Sequence, residues 1–171
     1  LSEQFNLEEL VRENVTNLDK EFDKHHLGIW YCYDRPNDES IYIYSHKGFM
    51  NAMLNTIILN LIKHAPQYSS SMQGIKIEGE NLVITTENLI GKSREEYGSR
   101  TGMGIRLLDL GAKQLRGELK LYISPSNKTY KFRELIGYKD AKELENHDIF
   151  SLRFYVPMKE LKFHPPKKQE H

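Results

Sequence analysis

Within a mostly apolar stretch between residues 47 and 64, the polar side chains Thr56, Asn60, Lys63 and His64 recur at related spacing. At helical spacing they fall within an arc of about 100°, while most other positions are Phe, Met, Leu, Ile or Ala. A helix that is apolar on most sides is buried, and buried polar groups are costly unless they are paired. The stripe therefore faces either solvent at an exposed edge or a partner, and the spacing alone leaves both open. Farther on, Gly102-Met103-Gly104 opens a helical pattern over 102–114. Glycines there expose backbone N–H groups to phosphate, although a lone Gly-x-Gly is more often a plain loop. Glu87-Asn88 ends a β-branched run, which is common before any loop. His25-His26 has no partner ligands at metal spacing and carries no assigned role.

These residues sit in a readable order of elements. Leu7, Leu10, Val11, Val15, Leu18 and Phe22 have the spacing of an amphipathic helix over 5–25, with Asn6 as N-cap and Glu8 and Glu9 in the first turn. Strands are expected at 29–33 and 41–44, on either side of Arg35-Pro36-Asn37-Asp38. The helix over 47–64 must stop before Pro66, and Ser69-Ser70-Ser71 reads as a loop. Residues 74–78 and 81–86 form a hairpin around Gly79, 91–100 is a polar stretch with little to pack, and strands at 118–124 and 150–156 close the domain. Residues 125–148 are a long polar insertion. The order implies an α+β two-layer sandwich over 1–160, with a mixed sheet covered on one face by helices and a disordered tail at 161–171.

Composition narrows the function classes. Of the 171 residues, 24 are Lys or Arg and 24 are Asp or Glu, so no net field favours nucleic acid or an anionic membrane. Cys32 is the only cysteine, which excludes an internal disulfide and a multi-cysteine metal site. The longest apolar candidate, 49–62, falls short of the roughly 20 residues needed to cross a bilayer. The chain starts at Leu1 without a methionine, which reads as a fragment boundary with further domains upstream.

Asn60-Leu61-Ile62-Lys63-His64-Ala65-Pro66 resembles the N box of sensor histidine kinases, whose catalytic domain has the Bergerat fold shared with DNA gyrase and a heat-shock chaperone family. The resemblance implies that Asn60 offers its carbonyl to Mg²⁺ on the phosphates of ATP, that Lys63 neutralises phosphate charge, and that His64 hydrogen-bonds a phosphate oxygen. Val83-Ile84-Thr85-Thr86-Glu87-Asn88-Leu89-Ile90-Gly91 is similar to the strand that ends in Asp-x-Gly-x-Gly. By that match Glu87 accepts the adenine amino group and Gly91 stands for the second glycine, with Leu89 at the first. Gly98-Ser99-Arg100-Thr101-Gly102-Met103-Gly104-Ile105 resembles the glycine box after the ATP lid. It implies phosphate contacts from Thr101, Gly102, Met103 and Gly104, with 92–100 as a short lid.

The resemblance extends from Phe5 to about Pro157 and departs from the family at the 125–148 insertion. It implies the ATP-binding catalytic domain of a cytoplasmic protein-histidine kinase, or the cytoplasmic part of a membrane-anchored one. Such a domain uses ATP and Mg²⁺, delivers phosphate to a histidine on an upstream dimerisation domain, and signals to a response regulator. No residue is assigned as a catalytic acid or base. Thr56 stands where ATP-hydrolysing relatives place a glutamate, so hydrolysis is disfavoured. The alternative reading is a degenerate, non-catalytic member that serves as a protein-interaction module.

Overall fold

The computed structural model describes residues 1–35, 38–90, 103–125 and 148–161. The chain enters as strand β1 (Glu3–Asn6) and turns directly into helix α1 (Leu7–Asn17). Asn6 makes the junction: it stays extended, at φ −80° and ψ 112°, and its Oδ1 accepts the Glu9 N–H at 3.1 Å. Phe5 consequently lies in a strand and not in the helix expected over 5–25. That helix is broken again at Leu18, whose N–H is shared by the carbonyls of Asn14 and Val15, and α2 (Asp19–Lys24) follows. The break turns Phe22 into a cluster with Ile58, Leu61 and Ile62.

Strands β2 (Gly28–Tyr33) and β3 (Tyr42–Ser45) come next but do not pair with each other. Antiparallel β3 joins β1, with Phe5 opposite Ile43, while β2 belongs to the main sheet. Helix α3 (Lys47–His64) has the bounds that its apolar pattern predicts. His46 Nδ1 caps it by accepting the Phe49 N–H at 2.9 Å, and Pro66 lies just past its end. Two long strands follow, β4 (Ser70–Glu78) and β5 (Asn81–Ile90), joined by a tight turn in which Gly79 takes φ +60°. Helix α4 (Met103–Gln114), strands β6 (Glu118–Pro125) and β7 (Asp148–Pro157), and the single turn α5 (Met158–Leu161) complete the chain.

Two boundaries differ from the sequence expectation in ways that matter below. Ser70 and Ser71 are not loop; they pair with Gly28 and Ile29 of β2, where small side chains permit a close approach. Strand β5 does not end at Thr86 but runs on through Glu87, Asn88, Leu89 and Ile90, paired to the first residues of β7. The stretch 92–100 read as a lid lies outside the described residues, as do 126–147 of the insertion expected over 125–148 and 162–171 of the tail expected over 161–171. Pro125 and Asp148 are strand residues, and Leu161 is helical and buried.

The main sheet has the order β2-β4-β5-β7-β6 and is parallel only between β2 and β4. Its inner face presents Ile75, Leu82, Ile84, Leu152, Phe154 and Val156 to Leu10 and Val11 of α1, Leu54 and Ile57 of α3, and Leu108 of α4. Each Leu or Ile fully buried in this way contributes about 2 kcal/mol. The result is the two-layer α+β sandwich and mixed sheet read from the sequence. Polar clasps tie its parts together. Buried Glu8 accepts hydrogen bonds from the Arg35 guanidinium and, at 2.9 Å, from the Ile41 N–H. Asn14 Nδ2 donates to Leu10 O at 2.8 Å and to Asn51 Oδ1 at 2.9 Å, which pins α1 to α3. Among the described residues no helix is long and apolar enough to cross a membrane.

Among the described glycines, Gly117, between α4 and β6, is the most closely enclosed. Gly117 donates to Ala112 O at 2.8 Å, and a Cβ placed on it would lie 1.8 Å from the backbone oxygen of Tyr155. Gly117→Ala is therefore expected to destabilise the fold by about 3 kcal/mol, because β6 must move off β7. Urea unfolding checks this: a lowered midpoint with unchanged slope is the expected result.

Candidate nucleotide cleft

The topology brings distant segments to one end of the sandwich. Helix α3 ends at His64 and β4 starts at Ser70, so β4 begins beside the end of α3. Strand β5 runs antiparallel to β4, which returns Asn88 and Ile90 to that same end. Helix α4 packs across α3 there, with the Cβ position of Gly104 at 3.6 Å from Thr56 Cγ2. Between the two helices lies a cleft of ≈ 260 Å³, lined by Thr56, Leu59, Asn60, Lys63 and His64 from α3 and by Gly104, Ile105 and Leu107 from α4.

The polar stripe of α3 thus faces another element, which resolves the alternative left open by its spacing. Asn60 is only 8% exposed, whereas Lys63 extends into solvent and His64 is half-buried. Thr56 is committed to its own helix, its Oγ1 donating to Ala52 O at 2.8 Å. The first turn of α4 presents the positive end of its dipole to the side of the cleft that carries Lys63 and His64. Of the residues singled out in the sequence, Asn60, Lys63, His64 and Gly104 come together here. Met103 starts α4 and is exposed. Gly91, Thr101 and Gly102 lie outside the described residues.

Glu87 does not join them. Strand alternation sends Leu82, Ile84 and Ile90 into the core, so Glu87 projects from the opposite face of the sheet. It lines a separate cavity of ≈ 330 Å³ with Cys32, Met72, Gly74, Thr85 and Arg153. Burial pushes its carboxyl above the ordinary glutamate value, a rise that the Ser151 hydrogen bond and the charges of Arg153 and Lys76 oppose. Glu87, expected from the resemblance to accept the adenine amino group, therefore does not line the cleft that holds Asn60, Lys63 and His64.

A further set of polar groups is buried in the interior. Among the described residues Asn60 Nδ2, Ser71 Oγ, Thr86 Oγ1 and Asn88 Oδ1 have no hydrogen-bond partner. Thr86 stands opposite Gln73 and Leu152 on the inner face, and Asn88 stands opposite Phe150. Asn88 is oriented by its own backbone neighbour: Nδ2 donates to Leu89 O at 3.0 Å, which leaves Oδ1 as the unpaired atom. An unpaired buried polar group costs about 1–3 kcal/mol, so these atoms await water or a ligand. The sequence holds a signal for them, the period of two that runs Leu82, Ile84, Thr86, Asn88. It is obscured because Val83 and Leu89 on the other face are apolar as well.

No family model and no curated protein sequence matches the chain. Solved structures do match it. The Acinetobacter baumannii histidine kinase AdeS superposes with a TM-score of 0.63 at 13% identity, covering 92% of this chain and 68% of that one. The catalytic domain of histidine kinase ThkA gives 0.61 at 14% identity, over 92% of this chain and 97% of its own. The chain has the fold of a histidine kinase catalytic domain. A third structure of this fold, full-length ShkA in complex with AMPPNP, gives 0.59 at 10% identity over 91% of this chain and 31% of that one.

Within this histidine-kinase fold the donor chemistry of the cleft suits magnesium-bound phosphate. Mg²⁺ is a hard cation that takes oxygen ligands and often needs only one or two from protein when phosphates and water complete its shell. Asn60 supplies one amide carbonyl on the cleft wall, and among the described residues no group of three or more His, Cys, Asp or Glu competes as a closed metal cage.

The placement of Glu87 gives a two-part expectation. Its raised pKa means that the folded chain holds a proton where the unfolded chain has lost it, so stability falls as pH rises above the ordinary glutamate value. Glu87→Gln is expected to remove that decline while leaving affinity for a non-hydrolysable ATP analogue unchanged. Thermal unfolding between acidic and neutral pH, paired with calorimetric titration, checks both parts.

Proposed function

We propose that the cleft binds Mg-ATP and that the chain is the catalytic domain of a sensor histidine kinase, delivering the γ-phosphate to a histidine on a separate dimerisation domain. The observation that carries this reading is the convergence of Asn60, Lys63 and His64 with the first turn of α4 in one cleft of ≈ 260 Å³, set in a histidine-kinase fold. The AMPPNP complex of ShkA, which shares the fold, supports a nucleotide as the ligand.

In this reading each residue has a limited task. Asn60 offers its carbonyl to the metal, Lys63 neutralises phosphate charge, and His64 donates to a phosphate oxygen. The backbone at Met103 and Gly104, in the first turn of α4, meets phosphate there. Bound magnesium neutralises and orients the phosphates. Catalysis is then positioning and charge neutralisation, with no side chain of the cleft acting as acid or base. Hydrolysis requires a base to activate water, and the Thr56 hydroxyl is already engaged by Ala52 O. Transfer to a histidine is the chemistry that remains.

The rim of the cleft supports the partner. Met103, Leu107 and Leu110, spaced along one side of α4, are 78%, 46% and 59% exposed, and Leu59 of α3 is exposed beside Leu107. A cluster of large apolar side chains in solvent marks an interaction surface. An acceptor imidazole must approach the γ-phosphate to bonding distance, so its domain has to cover the cleft mouth, where this apolar rim lies. A response regulator then takes the phosphoryl group from that histidine, in the cytoplasm where ATP is supplied.

Calorimetric titration with Mg²⁺ and a non-hydrolysable ATP analogue tests the site. Asn60→Ala is expected to weaken binding by about tenfold or more, roughly the loss of one charge-assisted contact. Absence of binding at millimolar nucleotide would favour the non-catalytic docking module instead. With the acceptor histidine on a separate domain, residues 1–171 alone are expected to incorporate no acid-labile, base-stable phosphate from ATP, and its appearance would overturn that assignment of the acceptor.

A further inference from the structure

A second cavity, of ≈ 330 Å³, lies on the outer face of the sheet, and no residue of the nucleotide cleft lines it. Its size falls at the low end for small-molecule sites, which span about 300–1,000 Å³. One row of directly paired residues crosses its floor: Cys32 of β2, Gly74 of β4, Thr85 of β5 and Arg153 of β7. A glycine inside a strand weakens it, and the φ of Gly74 lies outside the left-handed region, so backbone conformation does not call for glycine here. What Gly74 provides is room. A Cβ there would stand 2.5 Å from Thr85 Oγ1, 3.1 Å from Met72 Sδ and 3.2 Å from the Cys32 carbonyl oxygen, so the space over Gly74 is bordered by acceptor atoms.

The charged groups around this space are not equally committed. Lys76 is paired with Glu78 at 3.2 Å, and the Arg153 guanidinium stands over the Tyr122 ring at 4.6 Å and is hydrogen-bonded to Tyr155. Glu87, the diagonal neighbour of Gly74, has the Ser151 hydrogen bond, yet burial still holds its carboxyl above the ordinary value against the pull of both cations. Its ionised form is short of a counter-charge. Asp34, just past β2, adds a second carboxylate to the lining. Cys32, Asp34 and Glu87 form no metal cage, since no group of three or more His, Cys, Asp or Glu that could hold an ion occurs among the described residues.

We propose that this cavity is a second ligand site, selective for a small organic ammonium ion, a primary amine on a short apolar body. The ammonium pairs with Glu87 and directs its remaining N–H groups to Thr85 Oγ1 and the Cys32 carbonyl, while its carbon chain lies against Met72. An anionic ligand would instead have to face Glu87 and Asp34. The site goes beyond the nucleotide reading and does not rest on it. Glu87 must be ionised to take the ammonium, so binding expels the proton that burial retains. Affinity then rises with pH through the raised carboxyl value and levels off above it. The other charged or titratable groups around Glu87 are Lys76 from β4, Arg153 from β7, and Cys32 and Asp34 from the β2 side.

Proton–nitrogen correlation NMR of the chain tests this by titration with n-butylammonium, and with butyrate and n-butanol as charge-reversed and neutral probes. Millimolar n-butylammonium is expected to shift the amide signals of Cys32, Gly74, Thr85 and Glu87, to leave those of Asn60, Lys63 and His64 in place, and to bind about tenfold more tightly than either other probe. Glu87→Gln, which keeps the shape and removes the charge, is expected to lower the amine affinity by about tenfold and to abolish its rise with pH. Butyrate or n-butanol binding as tightly as the amine to the wild type overturns the proposal, whatever the variant does. So does an amine affinity that Glu87→Gln leaves unchanged. Absence of saturable shifts at Gly74 and Thr85 in the folded wild type also overturns it, and an ATP analogue that still binds in that case leaves the cleft reading intact.

Discussion

Helix α3 is hemmed in on several sides at once, and the other elements take their positions from it. Its apolar residues pack on the sheet through Leu54 and Ile57 and on the α2 side through Ile58, Leu61 and Ile62, while Met53 meets Gly111 of α4. Its polar side chains fall on two sides: Asn51 meets Asn14 of α1, and α4 closes over the strip of Thr56, Asn60, Lys63 and His64. The cleft is thus a product of core packing: its walls are set where Ile57 and Leu61 are buried, and α4 passes α3 at a distance where a Cβ on Gly104 would stand 3.6 Å from Thr56 Cγ2.

Much of this was legible from residue types. The bounds of α3 follow from its apolar run and Pro66, the Asn6 cap from its side-chain chemistry, and the two-layer architecture from the element order. The arc shared by Asn60, Lys63 and His64 survives because helical periodicity fixes angular position without reference to anything outside the helix. The reading failed where a partner strand decides. Phe5 is a strand residue because Ile43 pairs with it. Ser71 is a strand residue because Ile29 pairs with it. Glu87 turned away from the cleft because a strand buried on both faces carries no alternation of polarity by which its sides can be told apart.

The placement of Glu87 has an energetic side. A buried carboxylate without a partner is costly and takes up a proton instead. Neutral hydroxyls and amides, such as those of Thr86 and Asn88 on the inner face, cost less to bury. Glu87 meets the same difficulty on the opposite face and resolves it by a hydrogen bond with Ser151 and the nearby charge of Arg153, itself stacked over Tyr122 at 4.6 Å.

The junction at Asn6 has a mechanical meaning. Asn6 is both the last rung of the β1–β3 ladder and the cap of α1, so no slack residue separates strand from helix. Glu8, within the first turn, grips Arg35 and the Ile41 backbone, and Asn14 holds Asn51 of α3. Strand, cap, clasp and helix are thereby joined in series: β1 passes into α1 without a spacer, and α1 is held to the helix that bears Asn60.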